Sequence, residues 1–377
     1  MCKQVSVIIV TFNRLHFFKA ALDSALSQSY SNIELIISDD ASDDFNTNME
    51  RFLGSPLEGY IAAKKRANIK NVIINQNAAN IGTVNNIRTA VDSSHGDYIF
   101  VFSGDDALHN DEVIEQMVNE IRQNQYDVLS GRHALCDENL RPVSAGQHDD
   151  WIMDFVNSHH REELLYVHLF SVQLFGTLMH TRNIYEKLRF YDSPLYLIED
   201  LHRNIKLLRS DAKIGFSRAW CVKYRAAEGS VVRSKDKNVQ RVFELERLIT
   251  VNMDLKPELK RYEKMFLEIP KDKKIIVWGT GDAFQLAYPY LIQHFPNIAY
   301  IIDNDEKKHN QIINGLNIYP VETVLQENKE DIFIVVCSSF YFSGIRPWLI
   351  EHSFEEGWHM IPYSRYYTKF KLFEINT

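Results

Sequence analysis

Residues 97–108 read DYIFVFSGDDAL: a run of apolar, β-favouring side chains that ends on two adjacent carboxylates, Asp105 and Asp106. Tyr98, Ile99, Phe100, Val101 and Phe102 are what a buried strand contains. Two like charges at its end repel each other and call for compensation, and a hard divalent cation is one group that takes carboxylate oxygens. A turn or helix cap is the structural alternative for the same pair.

The neighbouring sequence repeats this pattern. VSVIIVTF (5–12), IELIISDD (33–40) and NVIINQN (71–77) are further strand-like runs, each passing directly into polar residues. Between them lie helical periodicities. Phe18, Ala21, Leu22 and Ala25 share one face of a helix, GTVNNIRTAVDSS (82–94) reads as a second, and Val113, Met117 and Ile121 mark a third at i, i+4, i+8. Strand and helix in alternation imply an α/β fold with a mostly parallel sheet and flanking helices. Ligands of such sheets bind beyond the carboxyl ends of the strands. Thr11–Asn13, Asp39–Asp40 and Ser103–Asp106 all fall at those ends, so several strands aim polar groups at one edge.

The chain is 377 residues long, with 45% hydrophobic and 24% charged residues, which suits a globular protein of two or three domains. Its 42 basic and 50 acidic residues leave a net charge of −8, which argues against a nucleic-acid partner. The four cysteines, Cys2, Cys136, Cys221 and Cys337, are scattered and read as reduced thiols of a cytoplasmic protein. No apolar run approaches the ~20 residues that span a bilayer, so only peripheral attachment to the inner face of a membrane stays open. Residues 127–230 are less regular, with strands expected near 127–135 and 171–181 and a helix near 200–209. The stretch 231–270 reads as a helical connector containing Pro257. From 271 the strand–helix alternation restarts in KKIIVWGTGDAF, IAYIIDND and DIFIVVCSS. The expected division is therefore 1–230, 231–270 and 271–377.

Five strings, VSVIIVTFNR, IELIISDDASDD, NIGTVNNIRTA, GDYIFVFSGDDAL and YLIEDLHRNIKLL, resemble in order and spacing the motifs of family 2 glycosyltransferases over residues 4–230. That family is inverting, has the GT-A fold and uses nucleotide-diphosphate sugars. The resemblance implies that Ser103, Gly104, Asp105 and Asp106 form its metal-binding motif, with Ser103 replacing the first acid and Asp105 as ligand of Mn²⁺ or Mg²⁺. It implies that Asp39 or Asp40 recognises the nucleoside, the choice between them being open, with Thr11 and Asn13 in the same pocket. Asn80 and Gly82 match a turn before the family's third helix. Arg88 stands one residue away from a phosphate- or sugar-contacting arginine of relatives. In the IED string, Asp200 would be the base that deprotonates the acceptor hydroxyl, and Glu199 would orient the acceptor or brace the loop. An N-cap is the structural alternative for Asp200. The chain departs from its relatives at KYRAAEGS: Ala227 stands where a histidine near the diphosphate is common, and Lys223 or Arg225 is left to supply positive charge.

The second α/β stretch resembles a small Rossmann-type module. Gly279 and Gly281 open a helix, and Asp303 follows 22 residues after Gly281. Phe284 replaces the third glycine of the dinucleotide fingerprint. The expected function is an inverting, metal-dependent hexosyl or N-acetylhexosaminyl transfer from a UDP-type donor to a glycan or lipid-linked acceptor in surface polysaccharide biosynthesis. Two alternatives are an NAD-linked oxidoreductase acting through the C-terminal module and a catalytically inactive glycan- or nucleotide-binding protein. Self-association stays open.

Overall fold

The computed structural model describes residues 2–144, 150–158, 160–170, 172–226 and 234–367, and the chain divides into two compact units. Unit 1 takes the chain up to Arg161 and from Gln173 to Arg247. Unit 2 takes Glu162–Val172 and the chain from Leu248 onward.

Unit 1 contains strands β1 (Val5–Thr11), β2 (Ile33–Asp39), β3 (Ile69–Gln76), β4 (Tyr98–Ser103), β5 (Ala107–Leu108), β6 (Val128–Cys136), β7 (Pro142–Ser144), β8 (Thr177–Thr181) and β9 (Ile214–Arg225). They form one sheet in the order β3-β2-β1-β4-β8-β6-β9-β5, with β7 beside β6. The first four neighbours are parallel, as expected, whereas β8 runs antiparallel to both β4 and β6. The sheet is therefore mixed, with a parallel part β3-β2-β1-β4 and antiparallel pairings beyond it.

β1 lies at the centre of the parallel part because both of its faces are covered. Val5, Val7 and Ile9 pack with Leu35, Ile37 and Phe100 against helix α1 (Leu15–Leu26), whose Phe18, Ala21, Leu22 and Ala25 are all buried. Helices α2 (Phe45–Leu53), α3 (Leu57–Lys64) and α5 (Val113–Asn124) extend that layer, while α4 (Thr83–Asp92) covers the opposite face of β1 and β2. Each fully buried Val, Ile, Leu or Phe contributes about 1.5–3 kcal/mol. The register sets Thr11 beside Asp39 and Val10 beside Ser103, so the three strands end level. Unit 1 also carries α6 (Asp150–Ser158), α8 (Arg182–Leu188) and α9 (Asp200–Arg209), whereas α7 (Arg161–Val167) falls, after its first residue, in unit 2.

Two helices, α10 (Lys237–Asp254) and α11 (Lys256–Leu267), occupy the described part of 231–270. Pro257 sits in the first turn of α11, where its missing N–H has no intrahelical partner to lose. Unit 2 carries β10 (Lys274–Trp278), α12 (Asp282–His294), β11 (Ile298–Ile302), β12 (Ile312–Ile313), β13 (Leu316–Tyr319), β14 (Ile332–Val336), α13 (Arg346–Glu351) and β15 (Met360–Pro362). Its sheet order is β12-β13-β11-β10-β14-β15, parallel except for the β12–β13 pair. That is a Rossmann-like half, built on the expected strands 274–278, 298–302 and 332–336. Among the described residues no helix is long and apolar enough to cross a membrane.

Tight packing at the base of β4 is testable. Gly96 donates its N–H to Ser6 Oγ, and a Cβ there would lie 2.5 Å from the Ser6 backbone nitrogen. Gly96→Ala is therefore expected to destabilise the protein by about 1–3 kcal/mol, read as a lower urea midpoint.

Candidate functional site

The level ends of β1, β2 and β4 gather the expected residues. The Asp40 N–H donates to the Thr11 carbonyl and the Gly104 N–H to the Val10 carbonyl, so the residues after the strands stay bound to β1. Asn13, at φ 53, donates its N–H to Ser42 Oγ and accepts from the Asp43 N–H, clasping the loop after β1 to the loop after β2.

Asp39, the last residue of β2, and Asp40 are both buried and differ in their partners. Asp40 is buried, and its carboxylate accepts from Asn77 Nδ2 at 3.0 Å and from the Ile81 and Gly82 N–H groups at 2.9 Å each. It holds the turn that carries Asn80. The Asp39 carboxylate accepts from the Ser42 N–H and hydroxyl and from the Ala41 N–H, and it lines an open cleft of about 420 Å³ with Ser42, Asp44, Asn46, Gln76 and Asn77. Burial, with a smaller push from Asp40, raises Asp39 above the ordinary aspartate range, and the Ser42 bonds oppose this.

Gly82 has φ +86, a conformation that favours glycine, and a Cβ there would overlap the Tyr196 ring. Tyr196 in turn donates its hydroxyl to Asn80 Oδ1 at 2.5 Å, and its carbonyl accepts from the Val84 N–H. The Asn80–Gly82 turn thus meets the loop that leads into Glu199 and Asp200. Asn86, which sequence reasoning passed over, pins α4 to the end of β2 through Ser38. Arg88 lies half-buried on α4; the Asp192 carboxyl is lowered chiefly by its hydrogen bond to Arg189, with a smaller contribution from the Arg88 charge.

At the end of β4, Asp105 accepts from Ser103 Oγ at 2.5 Å and pairs with Arg14. Asp106 is fully buried and accepts from the Arg225 N–H; burial, then the Asp105 charge, push it well above the ordinary range. Arg225 also donates from Nε to the Asp105 carbonyl, and the Arg14 and Arg225 guanidiniums lie 5.0 and 4.1 Å from the centre of the Phe17 ring. Of the two cations proposed to stand in for the missing histidine, Arg225 is the one bonded to this mouth. Gly104 packs its α-carbon against Thr11 and Phe18, where a Cβ would lie 3.0 Å from each. No helix begins at Asp105 or Asp106; β5 follows them.

Among the described residues no three His, Cys, Asp or Glu side chains cluster as a metal site. The donor set still fits a cation of the Mg²⁺ type, which is held by one or two carboxylates together with waters and substrate phosphates. Asp105 offers that one carboxylate at the strand end, while Asp106 is committed inward.

Asp200 is the first residue of α9, with Glu199 at the cap position and no side-chain cap bond, so the N-cap alternative is not what the helix shows. Asp200 accepts from Gln173 Nε2 at 2.7 Å and from the Leu201 N–H. Burial, together with the Asp200 charge, pushes Glu199 up to about 7, and buried Arg203 opposes this. Ala227 and His159 lie outside the described residues. His160 is exposed, and His180 is a core residue, pushed down to about 3 by burial.

In unit 2, Gly279 has φ +103, and a Cβ there would lie 2.8 Å from the Cys337 carbonyl oxygen. Asp303 accepts from the Thr280 N–H and hydroxyl and from the Asp305 N–H. Its carboxylate thereby closes the β10–α12 turn, and Phe284 is buried in the core.

Comparison with known proteins gives two family matches: Glycosyl transferase family 2 over residues 6–181, and C2185-like, N-terminal, over residues 271–357. An uncharacterized glycosyltransferase of Haemophilus influenzae is 31% identical over 136 residues, covering 35% of this chain and 48% of that protein. Glycosyltransferase GlyA of Streptococcus pneumoniae is 25% identical over 243 residues, covering 61% of this chain and 32% of its own length. The chain thus spans less than half the length of these curated relatives. S. aureus TarS 1–349 in complex with UDP-GlcNAc superposes with a TM-score of 0.48 at 17% identity, covering 68% of this chain and 69% of that one.

A carboxyl whose folded value is raised stabilises the fold below its unfolded value and loses that contribution as the pH rises through the folded one. For Glu199 the window runs from its ordinary 4.5 to about 7. The Tm of Glu199→Gln minus that of the unsubstituted protein is expected to increase between pH 5 and pH 8; a flat difference removes Glu199 from this account.

Proposed function

Residues 6–181 belong to glycosyl transferase family 2, and from that premise we propose that the protein transfers a sugar, with inversion, from a uridine-diphosphate donor to an acceptor hydroxyl. The observation that carries this reading is that Asp39 and Asp105 stand at the level ends of β2 and β4, either side of β1, while the loop leading into Glu199 and Asp200 rests through Tyr196 on the Asn80–Gly82 turn that Asp40 holds.

In this reading Asp39 is the nucleoside acid, because it lines the open cleft, whereas Asp40 is bonded to Asn77, Ile81 and Gly82 and does not line it. A carboxylate at Asp39 accepts from the uracil ring N–H or from ribose hydroxyls. Asp105 would hold a Mn²⁺ or Mg²⁺ ion, which neutralises charge growing on the diphosphate as the sugar bond breaks. Arg14 and Arg225 add fixed positive charge at the same strand end. Asp200 takes the proton of the acceptor hydroxyl as that oxygen attacks the anomeric carbon and the nucleoside diphosphate departs. Gln173 holds the Asp200 carboxylate in place at 2.7 Å. Glu199, half-buried beside Arg203, braces the loop. The acceptor class, a glycan or lipid-linked saccharide of surface polysaccharide assembly, and a hexosyl or N-acetylhexosaminyl donor follow from the family resemblance.

Calorimetry with UDP and Mn²⁺, paired with turnover of UDP-sugars, tests these roles. Asp200→Asn is expected to bind UDP as the unsubstituted protein does and to lose about 10²–10⁴-fold in kcat. Asp39→Ala is expected to weaken UDP binding by roughly tenfold or more, the loss of a charge-assisted hydrogen bond. Asp105→Asn is expected to abolish the gain in UDP affinity on adding Mn²⁺. Full turnover in both Asp105→Asn and Asp200→Asn refutes the assignment.

A further inference from the structure

The loop that delivers Glu199 and Asp200 is held by a residue far away in sequence. Glu246, on α10 and only 7% exposed, accepts from three consecutive backbone N–H groups: Tyr196 at 2.6 Å, Leu197 at 2.9 Å and Ile198 at 3.0 Å. Consecutive N–H groups turned toward one point make an anion-binding concavity, and a carboxylate that fills it forms charge-assisted bonds about twice as strong as neutral ones. The next residue in the chain is Glu199. On its other side the same loop rests on the turn after β3, through the Tyr196 hydroxyl on Asn80, the Tyr196 ring over Gly82 and the Tyr196 carbonyl on the Val84 N–H.

We propose that Glu246 is a positioning residue of the transfer reaction: its carboxylate fixes the Tyr196–Ile198 backbone and so sets where the Glu199 and Asp200 carboxylates stand. The proposal rests on the transferase reading for its consequence, though not for its geometry. Three bonds converging on two oxygens leave this stretch one arrangement. With the carboxylate gone, three buried or half-buried N–H groups lose their partner, and the stretch is held from the Asn80–Gly82 side alone. Catalytic groups need placement within a fraction of an ångström, so a looser loop lowers the rate of the chemical step. The nucleoside end, anchored by Asp40 on the opposite side of the turn, is not held by Glu246 and keeps its affinity.

The test uses the full chain carrying Glu246→Gln or Glu246→Asp. Amide exchange is followed in the peptide covering Tyr196–Ile198, UDP affinity is measured by calorimetry, and kcat and donor KM are measured with UDP-sugars. Glu246→Gln keeps the size and removes the charge. It is expected to speed exchange at Tyr196–Ile198 at least tenfold while α5 is unchanged, to leave the UDP Kd and the donor KM within threefold, and to lower kcat at least tenfold. Glu246→Asp, which keeps the charge on a shorter arm, is expected to recover part of both losses. Unchanged exchange at these amides, or a kcat that stays within twofold while they loosen, overturns the proposal. So does faster exchange throughout unit 1 accompanied by lost UDP binding, which marks a residue that only supports the fold. If the unsubstituted protein binds UDP and turns over no UDP-sugar, the transferase reading falls. The exchange result then decides by itself whether Glu246 holds the loop.

Discussion

The site depends on one buried carboxylate. Asp40 stands out of solvent at the end of β2, and a charge in that position is tolerated only when hydrogen bonds replace the water it has lost. The Asn77 amide and the Ile81 and Gly82 N–H groups supply them. Meeting that demand shapes the turn. With its N–H groups drawn inward, Gly82 adopts a positive φ and leaves room for the Tyr196 ring above it. Tyr196 is at once the residue whose hydroxyl meets Asn80 and the first of the three whose N–H groups meet Glu246. The end of β2, the Asn80–Gly82 turn and the loop before Glu199 are therefore parts of one hydrogen-bonded assembly. A displacement at Asp40 has a direct mechanical route to Asp200.

Adjacent acids recur at this edge, and each pair resolves its repulsion in the same way. In Asp39–Asp40, the second acid turns to backbone N–H groups and the first lines the cleft. In Asp105–Asp106, the second is buried against the Arg225 N–H and the first pairs with Arg14. In Glu199–Asp200, the first is pushed up to about 7 by burial and the second faces Gln173. Under the proposed reading, Asp40, Asp106 and Glu199 serve the fold and Asp39, Asp105 and Asp200 serve the reaction, so that fewer than six charges compete at the strand ends.

How far this could be read from the residues follows from the range of the forces involved. The parallel strands were legible because β-branched runs such as VSVIIVTF declare a strand covered on both faces. The helices α1, α4 and α5 were legible from their apolar spacing. The antiparallel β8 was not, since its direction depends on β4 and β6, which are remote in sequence. The choice between Asp39 and Asp40 stayed open because neighbours at a strand end point to opposite sides, and only the fold says which side holds the turn. Glu246 left no trace at all. It is one glutamate in a charge-rich helix, and its meaning arises only when that helix crosses the Tyr196–Ile198 backbone. The stretch 231–270 was legible as helical, though not that it holds two helices, the second beginning beside Pro257.

The charges at the β4 end answer a difficulty set by the composition. Under the proposed reading, a chain with net charge −8 and acids along its strand ends has to attract a nucleoside diphosphate that is itself an anion. Long-range attraction does not supply this, so the compensation has to be local. Arg14 and Arg225 provide it, gathered around the Phe17 ring and fastened to Asp105 and its carbonyl. Under the proposed reading, a diphosphate entering together with a cation replaces one ion pair with two: the carboxylate of Asp105 meets the cation and the guanidinium of Arg14 meets a phosphate. The substitution of Ser103 for the first acid of the motif suits this exchange. Its hydroxyl steadies Asp105 without adding a further negative charge, which the incoming anion would otherwise have to overcome.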